Sequence, residues 1–102
     1  MTVQPSFIAQ LHEQVDFSKP GVHRQALVKT EQINFSLVCV TAGTYIPEHA
    51  TARNVSVTVI AGRGTLTLAG EEISLQPGVF VYIPAKAPHA LRALENLAFL
   101  HT

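Results

Sequence analysis

The chain has 102 residues, enough for one packed core and too few for two. Hydrophobic residues make up 47% of it and charged residues only 14%, which excludes intrinsic disorder. Seven Lys plus Arg balance seven Asp plus Glu for a net charge of +0, which argues against a nucleic-acid partner, because neutralising phosphates takes a surplus of basic side chains.

Residues 1–5 show no basic stretch followed by an apolar one, and no apolar run approaches the roughly 18–20 residues of a membrane span. The expectation is a cytoplasmic protein with no membrane partner. Phe7, Ile8, Leu11 and Val15 stand near helical spacing with Gln and Glu between them, so residues 7–17 read as a short helix or an irregular wrapping arm. Beyond that segment the period is two. Strands are expected at 25–29, 34–42, 45–47, 54–61, 64–68, 71–75, 79–83, 89–93 and 97–101. Val55, Val57 and Val59 alternate with Ser56 and Thr58, and Leu66 and Leu68 with Thr65 and Thr67, as in strands with one face on a core. Pro20-Gly21, Ala42-Gly43, Gly62-Arg63-Gly64, Ala69-Gly70 and Gln76-Pro77-Gly78 punctuate them, the third read as a hairpin turn. Turn signals every roughly 8–12 residues belong to an all-β sandwich or barrel. The single cysteine, Cys39, excludes an internal disulfide and a cysteine zinc cluster, and its apolar surroundings mark it as a buried structural thiol.

Two segments carry a recurring punctuation. Gly43 is followed by five residues, His49, and a closing Gly62; Gly78 is followed by five residues, Pro84, and then His89. With the phrases Gly-Arg-Gly-Thr-Leu-Thr-Leu, Leu-Gln-Pro-Gly and Pro-Ala-Lys-Ala-Pro-His-Ala-Leu, the chain resembles the small single-domain cupins. The resemblance implies a cupin-type double-stranded β-helix, a jelly-roll barrel: one domain over 1–102, with an arm at 1–24, a barrel at 25–102, and motifs at 43–62 and 78–93. In metal-binding members a His-x-His pair, a Glu and a later His meet on one divalent ion. Here the second His of the pair falls on Thr51, the Glu on Val55, the Gly after the second-motif Pro on Lys86 and the closing Asn on Ala93.

His49 and His89 are therefore the expected metal ligands, with His101 as a third candidate, for a divalent transition metal such as Zn, Ni, Fe or Mn. The alternative is a hydrogen-bonded histidine pair in an apolar pocket. Thr51, Val55 and Arg53 are expected to line the same pocket, Arg53 either gripping an anion or lying on the surface. Glu48 should point away from His49, and His12 and His23 should lie on the surface. Tyr45, Phe80 and Tyr82 either line the pocket or pack the core. Three functions stay open: a metal-dependent dioxygenase, isomerase or decarboxylase acting on a small molecule; a small-molecule binder; or a structural dimer. Open sheet edges and the apolar Phe7, Leu11, Phe17 and Val22 point to a homodimer.

Overall fold

The computed structural model describes residues 5–102; the expectation drawn from residues 1–4 lies outside the described residues. Leu11–Gln14 makes a single helical turn, α1, with no side-chain cap from Gln10, so nothing propagates it into a longer helix. The rest of the segment before Gly21 is irregular.

Nine strands follow: β1 Val22–Lys29, β2 Asn34–Val40, β3 Tyr45–His49, β4 Val55–Ala61, β5 Gly64–Leu68, β6 Glu71–Leu75, β7 Phe80–Ile83, β8 His89–Ala93 and β9 Leu97–His101. They form a five-stranded sheet in the order β1-β2-β9-β4-β7 and a four-stranded sheet in the order β3-β8-β5-β6. All ladders are antiparallel, and β9 lies between β2 and β4 while β8 lies between β3 and β5. Strands distant in sequence are thus neighbours, and the chain passes repeatedly between the sheets in a jelly roll.

The main core fills the space between the sheets. The five-stranded sheet sends in Val38, Val40, Val57, Val59, Val81, Ile83, Leu97 and Phe99; the other sheet answers with Leu66, Leu75, Leu91 and Ala93. Each fully buried Val or Leu contributes about 1.5–3 kcal/mol relative to exposure. A second, smaller cluster sits behind the five-stranded sheet, where Leu37, Cys39 and Ala98 meet Val15 and Phe17 of the N-terminal segment. Strand β2 is buried on both faces for this reason, which accounts for its unbroken apolar run and for the buried free thiol of Cys39.

Two connections set the shape. Ala69-Gly70 links the paired strands β5 and β6 in two residues, both with positive φ, the geometry of a tight hairpin. Gly62-Arg63 is not a hairpin turn, because β4 and β5 belong to different sheets. It is a corner at which the chain crosses over, with φ +81° at Gly62 and its Cα so close to Asn96 that any Cβ would overlap the Asn96 carbonyl. Arg63 O then accepts the N–H groups of Leu94 and Glu95.

Strand β1 begins at Val22, three residues before the expected 25, because its ladder to β2 continues to the pair Val22–Val40. Strand β3 runs on past Pro47 to His49 through a bulge. Among the described residues no helix is long and apolar enough to cross a membrane.

Candidate functional site

The bulge in β3 builds the site. Tyr45 and Ile46 pair with Arg92 and Leu91, but the next aligned pair is His49 with His89, so Pro47 and Glu48 together oppose Ala90. In an unbroken strand Ile46 and His49, three apart, would face opposite ways. The extra residue resets the alternation, and both side chains line one cavity between the sheets. Glu48 is exposed. His49 and His89, forty residues apart, lie with ring centroids 4.3 Å from each other and planes tilted by 56°. His49 is exposed at the mouth, whereas His89 is buried in the wall, 7% exposed.

Both rings are oriented by their own strands. His49 Nδ1 lies 3.1 Å from Pro47 O, and His89 Nδ1 lies 3.0 Å from Ala87 O. A carbonyl only accepts, so each Nδ1 carries the proton and donates it. The neutral ring then presents its Nε2 lone pair as an acceptor, the tautomer a metal or a ligand hydroxyl requires.

The cavity has a volume of about 170 Å³. Its walls are largely apolar: Val22, Val38, Ile46, Val57, Leu66, Ile83, Leu91 and Phe99. Its polar residues are His49, His89, His101 and Arg24. His101, at the end of β9, comes from the opposite sheet, where it pairs with Ser36 and Val57. Its pKa is pushed down to about 4, first by burial, then by the Arg24 guanidinium and, in their protonated form, by the His89 and His49 rings. An Arg24 guanidinium nitrogen lies 3.5 Å from His101 Nδ1, and since guanidinium only donates, His101 Nδ1 is the acceptor. The His101 lone pair is thus directed at a cation.

The donor set does not fit the metal centre that the resemblance implies. Two imidazoles are in place, but among the described residues no group of three or more His, Cys, Asp or Glu side chains could hold an ion together. His101 faces a guanidinium, which disfavours a dication beside it.

Thr51, Arg53 and Val55 are not lining residues of this cavity. With Asn34, His101 and Thr102 they border a separate depression, so His101 touches both. The Thr51 hydroxyl donates to Arg53 O at 2.9 Å, and Thr51 O accepts the Lys86 N–H at 2.8 Å, which turns this loop residue away from the histidine pair. Val55 packs against the main core, and Arg53 is exposed. Lys86, standing where the resemblance has Gly, holds the left-handed φ of +71°.

Tyr45, Phe80 and Tyr82 neither line this cavity nor pack the core; they are 50%, 62% and 54% exposed. On β7 the inward positions are taken by Val81 and Ile83, which leaves Phe80 and Tyr82 outside. Tyr45 lies under the Arg92 guanidinium, 4.8 Å from its ring centroid. His12 is exposed on α1, and His23 pairs with Cys39 on the side of β1 away from the cavity. The residue missed by sequence reasoning is Arg24. The signal available was alternation: extending the first strand back to the Pro20-Gly21 turn puts Val22 and Arg24 on one face.

Comparison with known proteins agrees with this architecture. The cupin domain family matches residues 36–101. An uncharacterised protein of Methanocaldococcus jannaschii is 31% identical over 62 residues, 61% of this chain, and the match spans about half (49%) of that protein's length. A solved conserved protein of unknown function from Streptococcus pyogenes superposes with a TM-score of 0.83 at 22% identity, covering 97% of this chain and 87% of that one. A cupin superfamily protein from Desulfitobacterium hafniense superposes with a TM-score of 0.84 at 18% identity, covering 97% and 95%. The sheet order, the pairing of the two motifs across β3 and β8, and the family match lead to one conclusion: the chain belongs to the cupin domain family.

Proposed function

We propose that this cupin is a small-molecule binder whose ligand enters the barrel cavity and donates a hydrogen bond, from a hydroxyl or an N–H group, to the His49–His89 pair. The observation that carries this reading is the matched orientation of the two rings. Each Nδ1 is tied to a carbonyl two residues upstream, so that two Nε2 acceptors face the same apolar cavity. Pockets of this kind take an apolar body against their walls and fix its orientation with a few polar groups. A divalent metal at the same place would have two protein ligands and otherwise water, an arrangement that holds transition metals weakly. The metal-dependent enzyme reading would need a third ligand, and no observation favours it over binding.

The test uses benzyl alcohol, which combines an apolar ring with one hydroxyl. Added to the wild-type chain, it should shift the ring signals of His89 and the methyl signals of Leu66 and Leu91 in NMR spectra. His89→Ala should weaken that binding several-fold. A titration to millimolar concentrations that leaves His89, Leu66 and Leu91 unmoved would overturn the reading. Stoichiometric zinc retained through purification and dialysis would put the metal reading ahead of it.

A further inference from the structure

Arg24 is the one permanently charged side chain on the cavity wall, and its placement follows from strand register. Arg24 pairs with Val38, and Val22 with Val40, so these β1 residues share the face that β2 turns toward the main core. Both Val22 and Arg24 line the cavity. The guanidinium sits beside the neutral His101 imidazole rather than a carboxylate, and among the described residues no Asp or Glu lines the cavity. The burial-lowered pKa of His101 reports the same imbalance, since Arg24 is the largest of the charges acting on it. A cation over an apolar cavity with no internal counter-ion is a recognition element for an anion.

We propose that Arg24 anchors an anion subsite at the cavity mouth and that the ligand is a small monocarboxylate bearing a hydroxyl or N–H group, its carboxylate forked on the guanidinium, that donor turned to the His49–His89 pair and its apolar body against Leu66, Leu91 and Phe99. This deepens the binding role given above and rests on it. One contact to His101 uses one of five guanidinium N–H donors, and two parallel donors suffice for a carboxylate. A phosphate, carrying more charge and more acceptor oxygens, would leave most of them unpaired against apolar walls. The volume of about 170 Å³ restricts the ligand to a small one.

Benzoate and benzyl alcohol share a body and differ in charge, so together they separate the subsite from the cavity. Calorimetry on the wild type, Arg24→Gln and Arg24→Lys measures affinity, and NMR signals of His89 and His101 report location. Arg24 is exposed, so its substitution leaves the core untouched. Benzoate should bind the wild type at least about tenfold more tightly than Arg24→Gln, a difference of about 1.4 kcal/mol, with Arg24→Lys in between. Benzyl alcohol should bind all three alike. Equal benzoate affinities in wild type and Arg24→Gln, with benzyl alcohol still bound, would overturn the subsite and leave the cavity reading standing. If neither compound moves the His89 signals of the wild type, the cavity reading falls and the subsite with it. Inorganic phosphate binding more tightly than benzoate, in an Arg24-dependent way, would overturn the carboxylate class.

Discussion

Acidification from pH 7 to pH 4 should weaken the fold through one imidazole, His101. Its pKa is depressed from the ordinary 6.5 to about 4, by burial first, then by the Arg24 guanidinium and, in their protonated form, by the His89 and His49 rings. The unfolded chain, titrating near 6.5, takes up this proton earlier than the folded chain does. Between pH 6.5 and about 4 the unfolded state therefore binds more protons, and stability rises with pH. The contribution is fully present above 6.5 and is lost as the pH falls to about 4. At 1.36 kcal/mol per pH unit the whole gap sets a ceiling of about 3 kcal/mol. His101 is only half-buried, and water screens part of its interactions, so about 1–2 kcal/mol is the expected loss. Urea unfolding at a series of pH values isolates it when the wild type is compared with His101→Gln, which cannot titrate but keeps a polar group of similar size. The wild type should lose about 1–2 kcal/mol more than the variant between pH 7 and pH 4, and in Arg24→Gln the His101 midpoint should rise toward 6.5. Superimposable pH profiles for wild type and His101→Gln, or a wild-type His101 NMR midpoint at or above 6.5, would refute the reasoning.

Three further outcomes test the frame that holds the site. Gly62→Ala should cost about 3–5 kcal/mol in chemical denaturation, because its Cβ meets the Asn96 carbonyl and its φ of +81° is strained for any L side chain. Lys86→Gly should stabilise the chain by about 0.5–1 kcal/mol, since Lys86 adopts the left-handed conformation at φ +71° and glycine does so without a steric cost; a lower melting temperature would contradict this. Cys39→Ser should destabilise by about 1–3 kcal/mol, as a hydroxyl replaces a thiol packed with Leu37 and Ala98 and finds no partner there. An unchanged melting temperature would mean that the segment carrying Val15 and Phe17 does not cover this face.

The elements that were legible in the sequence are those whose alternation is closed off by turn residues. Strands β5, β6, β8 and β9 have the expected bounds, and for β5 and β6 it is Ala69-Gly70 and Gln76-Pro77-Gly78 that interrupt the period of two where the strands end. The misreadings share one cause, which is that a local pattern does not reveal a strand's partner. Strand β3 was expected to end at Pro47, yet the bulge opposite Ala90 absorbs that residue and the strand continues to His49. Gly62-Arg63-Gly64 has the composition of a hairpin turn, but the strands on either side belong to different sheets. Tyr45, Phe80 and Tyr82 were expected inside, although alternation with Ile46, Val81 and Ile83 already put them on the other face. The resemblance to the two cupin motifs brought His49 and His89 forward as candidates. The Arg24–His101 contact bridges 77 positions and depends on β1, β2 and β9 lying side by side, which no local signal announces.

Charge, more than the number of histidines, distinguishes this cavity from the metal centre its sequence resembles. There, a carboxylate opposes the charge of the ion. Here, among the described residues, no Asp or Glu lines the cavity, while Arg24 brings a positive charge to the wall from β1. In a partly desolvated site a cation without a carboxylate beside it acts against a dication and in favour of an anion. The same guanidinium helps to hold His101 neutral, which removes the imidazolium that would otherwise stand beside it and leaves an acceptor aimed at Arg24. His101 then keeps the guanidinium over the mouth without neutralising it. A neutral imidazole is suited to that task, where a carboxylate in its place would cancel the charge that an incoming anion has to meet.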